Sequence, residues 1–148
     1  MAGAAPALPS VKETAALMAA IDARSLESVR REMQRGADPN AVDASGETAL
    51  MHAAQCACDV RSLPVSVPIV QLLLDHHAAV NARDKDGKTA LFYAIEGGSV
   101  PVTRLLLGHG ADPNAKSRLG ETPLHVSRLL GSRAMTELLL AVGAKSAP

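Results

Sequence analysis

The strongest constraint on this fold is a set of short phrases that recur along the chain at nearly constant spacing. The phrase GADPN occurs at 36–40 and again at 110–114, and a Gly-x-Thr phrase follows at Gly46, Gly87 and Gly120. These three glycines are separated by 41 and then 33 residues. Recurrence at such an interval indicates a repeat architecture, in which stacked units bury an apolar core that no single unit buries alone.

Two further markers keep the same spacing. Three consecutive leucines occur at 72–74, 105–107 and 138–140. One serine per repeat precedes the corresponding segment, at Ser25, Ser66, Ser99 and Ser132. The repeat is therefore 33 residues long, and the second of four copies is lengthened by eight residues between Gln55 and Ser66.

The residues at these markers predict two helices in each unit. One threonine precedes each short apolar segment and is placed to cap a helix, at Thr48, Thr89 and Thr122. The recurring serine is placed to cap the second helix, and Pro68 and Pro101 follow in its first turn, where a missing N–H costs nothing. A glycine then ends that helix in the left-handed conformation, at Gly36, Gly110 and Gly143.

Turn-rich links of Asp, Ser and Gly join successive units, which favours hairpins there. The predicted fold is an all-α solenoid of helix-turn-helix units joined by β-hairpin-like finger loops. Polar residues in the terminal repeats, Arg31, Glu32 and Arg128, indicate capping units and hence a complete array. We expect a flexible N-terminus at 1–10, one domain at 11–145 with repeats at about 14–43, 44–84, 85–117 and 118–145, and a tail at 146–148.

Composition excludes several classes of partner. Lysine plus arginine equals aspartate plus glutamate at 15 each, so no net charge attracts nucleic acid or an anionic membrane. Phe92 and Tyr93 are the aromatic residues, too few to stack nucleotide bases. No apolar run approaches the roughly 18 residues of a membrane span. Because Pro9, Lys12 and Glu13 interrupt the N-terminal apolar stretch, no signal peptide is expected, and we expect a cytoplasmic monomer.

Three phrases carry a resemblance to a known family. TPLH at 122–125, LLLGHGADPNAK at 105–116 and DKDGKTALFYA at 84–94 resemble the ankyrin repeat. The resemblance covers roughly 14–145 as four stacked repeats. It implies a non-catalytic protein-binding scaffold without a cofactor, which contacts its partner through a concave face of finger tips and first helices. It also implies that His125 hydrogen-bonds the backbone and stiffens the stack.

The finger sequences AVDASGE, ARDKDGK and AKSRLGE at 41–47, 82–88 and 115–121 differ in charge, so we expect them to form the contact surface together with a first-helix tyrosine. No catalytic, cofactor-binding or metal-binding residue is expected, because the chain contains no GxxxxGK[ST], GxSxG or HExxH motif. The predicted partner-binding residues are Asp43, Ser45, Glu47, Arg83, Lys85, Asp86, Lys88, Tyr93, Lys116, Arg118, Leu119 and Glu121.

Two alternative functions stay open. The first is a dedicated inhibitor of one enzyme partner, because this four-repeat chain is similar in size to the ankyrin inhibitors of cell-cycle kinases. The long second repeat departs from the pattern of those inhibitors. A metal-binding protein would use Cys56 and Cys58 with His52, His76 and His77, but the cysteine spacing is atypical and a second matched pair is missing.

The eight-residue insertion also has two readings. It is either a tolerated change of loop length, since loop closure cost rises slowly with length, or a second contact site. In the second reading Val60, Leu63 and Val65 contact a partner, and Pro64 and Pro68 stiffen the loop.

Overall fold

A computed structural model of the protein describes residues 11–56 and 63–145. These residues form eight α-helices and one isolated β-bridge, between Val42 and Thr48. The predicted all-α class is confirmed. The helices are α1 (Val11–Asp22), α2 (Leu26–Gln34), α3 (Ala49–Gln55), α4 (Leu63–Asp75), α5 (Ala90–Glu96), α6 (Val100–Gly108), α7 (Pro123–Leu129) and α8 (Arg133–Ala141).

The eight helices stack in two rows. The first helices α1, α3, α5 and α7 contact one another in chain order, and the second helices α2, α4, α6 and α8 do the same. Apolar side chains at one recurring position of the first helices are fully buried in the shared core. This arrangement is the predicted solenoid, and the residues concerned are Leu17, Leu50, Leu91 and Leu124.

The predicted threonine caps are at the helix N-termini, but one hydroxyl is unused. The Thr48 and Thr122 side chains accept from the N–H groups of Met51 and His125, at 3.3 and 3.2 Å. Thr89 occupies the same N-cap position without a side-chain capping bond. Its Oγ1 is buried and has no partner among the described residues. A threonine is therefore present at the N-terminus of α3, α5 and α7, although only two of the three make the capping hydrogen bond.

Among the serines, two make the predicted capping bond. Ser25 accepts from Ser28 N–H at 3.2 Å, and Ser99 accepts from Val102 N–H at 3.4 Å. Ser132 lies at the N-cap of α8 but makes no side-chain capping bond.

The second repeat departs from the predicted pattern at its second helix. Because α4 begins at Leu63, Ser66 lies inside the helix and Pro68 lies beyond its first turn. The prediction that Ser66 caps this helix, with Pro68 in the first turn, is wrong, because part of the insertion extends the helix toward its N-terminus. The Ser66 hydroxyl instead donates to the Cys56 carbonyl at 3.3 Å, at the end of α3. Residues 57–62, which include Cys58 and Val60, lie outside the described residues, as do the predicted flexible N-terminus at 1–10 and the tail at 146–148.

The second helices end as predicted. Gly36, Gly110 and Gly143 have φ angles of 91, 88 and 86°, in the left-handed region that glycine tolerates best. His77 occupies the same repeat position with a φ of 62°, although a side chain disfavours that conformation.

A repeated asparagine joins each unit to the next. The Asn81 side chain accepts from Asp112 N–H at 2.8 Å and donates to the Gly110 carbonyl at 3.0 Å. Asn40 bridges to the next unit in the same way, through Ala79 and His77, and Asn114 does so through Lys145 and Gly143. The recurring Asn of the GADPN phrase is therefore an inter-repeat bridge.

Each finger closes through a backbone hydrogen bond at its base. Asp43, Asp84 and Ser117 donate their N–H groups to carbonyls four residues later, at 3.0, 3.0 and 2.9 Å. Successive fingers also touch, because Arg118 N–H donates to the Asp86 carbonyl at 2.7 Å. The fingers and first helices together present one continuous surface, which we call the finger face.

The polar residues of the terminal repeats differ in exposure. The Arg31 and Arg128 side chains are exposed. The Glu32 side chain is only 15% exposed and pairs with Arg35 at 2.9 Å. The exposure of the two arginines agrees with the solvation of end units, which meet water on one side.

Candidate functional site

One position of the first helices faces the fingers in every repeat, and its residue changes each time. It is occupied by Ala19, His52, Tyr93 and Val126. The two polar members form the centre of the finger face, and the two apolar members lie toward its ends.

His52 contacts carboxylates on both sides. Its Nε2 lies 3.0 Å from Asp43 Oδ2 and 3.6 Å from Glu47 Oε2, both in the finger that precedes its helix. Its Nδ1 lies 3.3 Å from Asp22 Oδ1, at the end of α1. The His52 side chain is only 17% exposed and Asp22 is 59% exposed, so this contact links the first two repeats at the edge of the finger face.

Tyr93 links the first and second fingers. Its hydroxyl lies 2.9 Å from Glu47 Oε1 and 2.6 Å from Asp84 Oδ2, and can donate its proton to either carboxylate. The residue is 8% exposed, so it offers little area to a partner. Tyr93 therefore holds the two carboxylates in position.

The carboxylates around this centre set the protonation of its members. Burial opposes the charged form of His52, but hydrogen bonds to Asp43 and Asp22 outweigh it and raise the pKa of the imidazole above 6.5. Burial likewise opposes ionisation of Asp43, yet hydrogen bonds from His52 and two backbone N–H groups lower the pKa of that carboxyl. Burial, followed by the hydrogen bonds to Asp84 and Glu47, raises the pKa of Tyr93. The centre thus favours an imidazolium among carboxylates and a protonated phenol.

A second charged contact lies farther along the finger face. Lys88 Nζ lies 2.6 Å from Glu96 Oε1. The hydrogen bond to Glu96 raises the pKa of the Lys88 ammonium, with burial acting in the opposite direction.

Two depressions flank the polar centre. The first, about 710 Å³ in volume, lies between α1 and the first finger. The second, about 530 Å³ in volume, lies between the later fingers and α7. The second is lined by five of the predicted contact residues and by apolar side chains: Asp86, Lys88, Arg118, Leu119 and Glu121 with Val126, Leu129 and Leu130.

Two predicted contact residues instead join neighbouring fingers. The Arg83 guanidinium donates to the Lys116 carbonyl, and the Lys85 ammonium donates to the Ala44 carbonyl. Gly87 has a φ of 73°, and a Cβ added there would lie 3.1 Å from the backbone nitrogen of Arg118, so the conformation of this tip and its approach to the third finger favour glycine. Both cations are therefore engaged within the protein.

The remaining predicted residues lie at finger tips. Ser45 donates its backbone N–H to Asp43 Oδ1 at 2.8 Å, which tightens the first finger. Lys116 and Arg118 are exposed, and Leu119 is 85% exposed. These tips are the part of the finger face most accessible to another molecule.

The resemblance implies that the His125 side chain hydrogen-bonds the backbone, and the structure does not show this bond among the described residues. The imidazole of His125 is exposed and has no hydrogen-bond partner among the described residues. Its backbone N–H, not its ring, makes the local bond, to Thr122 Oγ1.

One group of side chains has metal-ligand spacing. Single ligand atoms of Asp43, Glu47 and His52 lie within 4.8 Å of one another. Ion pairing of a protonated His52 accounts for this arrangement without a metal. His52 is also committed to carboxylates through both ring nitrogens, which does not favour the sequence hypothesis that it joins the cysteines of the insertion.

Sequence reasoning missed four residues of the finger face. Asp22 and Glu96 occupy the same position at the ends of α1 and α5, Asp84 is the second-finger equivalent of Asp43, and the sequence suggests His52 only as a metal ligand. The repeat alignment contains the missing signal, because it places His52 level with the predicted contact residue Tyr93.

A family model of ankyrin repeats in three copies matches residues 16–117 and 62–147. No curated protein matches the chain significantly. None of the helices in residues 11–56 and 63–145 combines the length and apolar character that a membrane crossing requires. With the matched residues spanning nearly the whole solenoid, the chain belongs to the ankyrin-repeat family.

Proposed function

We propose that this chain is a non-catalytic adaptor that holds a partner protein against the finger face. Ankyrin repeats generally mediate protein–protein interaction, and the family is typically non-catalytic. One observation on this chain supports the proposal. The buried leucines and bridging asparagines repeat, whereas the finger-facing position changes in every repeat, from Ala19 through His52 and Tyr93 to Val126. A residue that varies on a constant scaffold is not fixed by the stacking, and here it determines how the neighbouring finger side chains are presented to a partner.

The proposed contact surface contains the twelve residues predicted from the sequence, with different roles. Lys116, Arg118 and Leu119 are accessible and contact the partner directly. Tyr93 acts by fixing Glu47 beside it. An exposed leucine flanked by cations is suited to an interface, where apolar contact supplies affinity and charges at the rim steer association.

Affinity capture from the source cell with quantitative mass spectrometry tests this proposal. The bait is the full chain, compared with the finger variant Lys116→Glu/Arg118→Glu. The matched control reverses two exposed arginines on second helices, Arg30→Glu/Arg104→Glu, so that the net charge change is identical.

We expect the finger variant to lose its captured partner and the control to retain it. Reversed rim charges slow association with a partner while surface changes leave stability within about 0.5 kcal/mol each. Equal capture by all three baits, or loss only with the second-helix control, would show that the finger face is not the binding surface.

The same capture distinguishes an adaptor from a dedicated inhibitor. If the partner is an enzyme, an adaptor leaves its turnover unchanged in the purified complex, whereas an inhibitor abolishes it. The proposal also keeps the monomeric, cytoplasmic state expected from the sequence, and light scattering with size-exclusion chromatography tests the monomer.

A further inference from the structure

The depression beside α1 differs from the rest of the finger face in both shape and charge. We call it the acidic groove. Its floor and walls are short apolar side chains, and its ionisable groups are all aspartates apart from one histidine. The lining consists of Thr14, Ala15, Met18, Ala19, Ala41, Val42 and Ala44 with Asp22, Asp38, Asp43 and His52.

The groove exists because one side chain is small. Ala19 occupies the position that His52 and Tyr93 occupy in the next two repeats, where those longer side chains reach the fingers. An alanine cannot fill that distance, so a volume of about 710 Å³ is left between α1 and the first finger. Val42, in the wall, remains 54% exposed. This exposed apolar wall is available for contact with a second apolar surface.

The charge at the groove has one sign. Three aspartates line it, with no lysine or arginine among the described lining residues. His52 neutralises at most one of these carboxylates, so an excess of negative charge remains even when it is protonated. The side chain of Asp22 is 59% exposed and thus accessible. The depression at the other end of the finger face also has three carboxylates, from Asp86, Glu96 and Glu121, but there Lys88 and Arg118 offset two of them.

We propose that the acidic groove docks a partner segment that presents an arginine or lysine beside an apolar side chain. The apolar side chain covers Met18 and Val42, and the cation pairs with Asp22 and Asp38 at the rim. Two carboxylates that line one depression favour a cation there, because the apolar walls beside them lower the local dielectric constant and strengthen the attraction. The inference rests on the proposed function and adds to it the chemistry of the bound segment and its location.

Selection of short random peptides displayed on phage tests this inference, with the immobilised full chain as the target. The binding of selected peptides is then measured by fluorescence anisotropy. We expect them to be enriched in an arginine or lysine next to an apolar residue, and we expect their affinity to fall with added salt.

The decisive variant is Asp22→Asn/Asp38→Asn. Each asparagine keeps a side-chain oxygen, so the bond that Asp38 accepts from Asn40 N–H at 2.8 Å is retained while the charge is lost. We expect the dissociation constant to rise about tenfold or more. The matched control, Glu27→Gln/Asp75→Asn, removes the same charge from two exposed carboxylates on the second helices α2 and α4, and we expect a change within about twofold.

A second variant tests the shape of the groove independently of charge. Ala19→Tyr places in the groove the residue that α5 has at the same position, and we expect it to block the selected peptides. Circular dichroism and thermal melts verify that every variant is folded. If the aspartate pair proves to be needed for folding, Ala19→Tyr alone decides.

Several outcomes would overturn the inference. They are a failure to select any binding peptide, selected peptides without cationic enrichment, unchanged affinity for both groove variants, or equal loss in the control. The proposed function fails separately. If the native partner is still captured by the groove variants but not by Lys116→Glu/Arg118→Glu, the adaptor function stands and the acidic groove is not its docking site.

Discussion

A single hydroxyl on α6 illustrates how much one atom matters in a repeat stack. Thr103 is fully buried, and its Oγ1 has no hydrogen-bond partner among the described residues. The first two repeats have Val29 and Val70 at this position, and both are fully buried. We expect Thr103→Val to raise the free energy of unfolding by about 1 kcal/mol, because it removes an unsatisfied polar group at nearly constant volume.

The matched control for this substitution is in the next repeat. Thr136 Oγ1 donates to the Ser132 carbonyl at 2.8 Å and lies 3.0 Å from Ser127 Oγ. We expect Thr136→Val to lower stability, opposite in sign to Thr103→Val. Urea unfolding followed by circular dichroism measures both, and equal effects of one sign would contradict the explanation.

Another residue-scale prediction concerns the pH dependence of His52. Because its folded-state pKa is raised above 6.5, its contribution is fully present below that value and is lost as the pH rises through the folded pKa. We expect the wild type to exceed His52→Gln in melting temperature by about 2–4 °C more at about pH 5.5 than at about pH 8.5. Both conditions lie above 3.8, so the ionised Asp43 contributes equally.

Differential scanning fluorimetry at the two pH values measures this difference. The control is His76→Gln, an exposed histidine that follows α4. A pH-dependent loss of the same size in the control would assign the effect to histidine content in general, not to the contacts of His52 with Asp22 and Asp43.

At the scale of elements, we expect removal of an inter-repeat asparagine bridge to lower the stability of the stack. Asn81→Ala removes one accepted and one donated bond to the next repeat, which we expect to lower the free energy of unfolding by about 1–3 kcal/mol. Asn81→Asp keeps the accepting oxygen but places a carboxylate oxygen against the Gly110 carbonyl, so we expect it to lower stability as well. Chemical unfolding measures both variants, and indistinguishable stabilities of wild type and Asn81→Ala would disprove the bridge.

Most helix boundaries could be predicted from the recurring sequence pattern. Thr48, Gly110 and the other recurring markers predicted helix starts and ends correctly, because their roles are local and repeat with the backbone. The helix start of α4 was not predictable in this way. The insertion breaks the register between Gln55 and Ser66, and a stretch of added residues can extend either a loop or a helix.

At the scale of the whole molecule, the fingers act as a row of linked loops. Arg83 and Lys85 donate to backbone carbonyls of neighbouring fingers, whereas Lys116 and Arg118 are exposed. We therefore expect Arg83→Glu/Lys85→Glu to lower the free energy of unfolding by about 1–3 kcal/mol. Lys116→Glu/Arg118→Glu carries the same charge change, and we expect it to cost less than about 1 kcal/mol.

Equilibrium urea unfolding of the two double variants, compared at the same ionic strength, measures this contrast. Equal midpoints would mean that the finger-to-finger bonds contribute nothing to stability and that Arg83 and Lys85 are as available to a partner as the exposed pair.

The finger face was predictable as a surface, but its internal contacts were not. The variable finger residues predicted Asp43 and Glu47 as members of this surface, and the first helix of the third repeat predicted Tyr93. The link from His52 to Asp22 depends on which side chains meet between different repeats. The sequence repeat shows only the residues that successive units share. It therefore contains no information on contacts between residues that occur in one repeat alone.

The asparagine bridges have a consequence for how such a chain can change over evolutionary time. In the following repeat, each asparagine contacts only a backbone N–H and a backbone carbonyl, as Asn81 does with Asp112 and Gly110. Main-chain groups are the same whatever the side chain, so the connector is compatible with any following unit that keeps the turn. A duplicated or exchanged repeat would thus be joined without a compensating second mutation, and finger sequences can diversify while the connection between units stays unchanged.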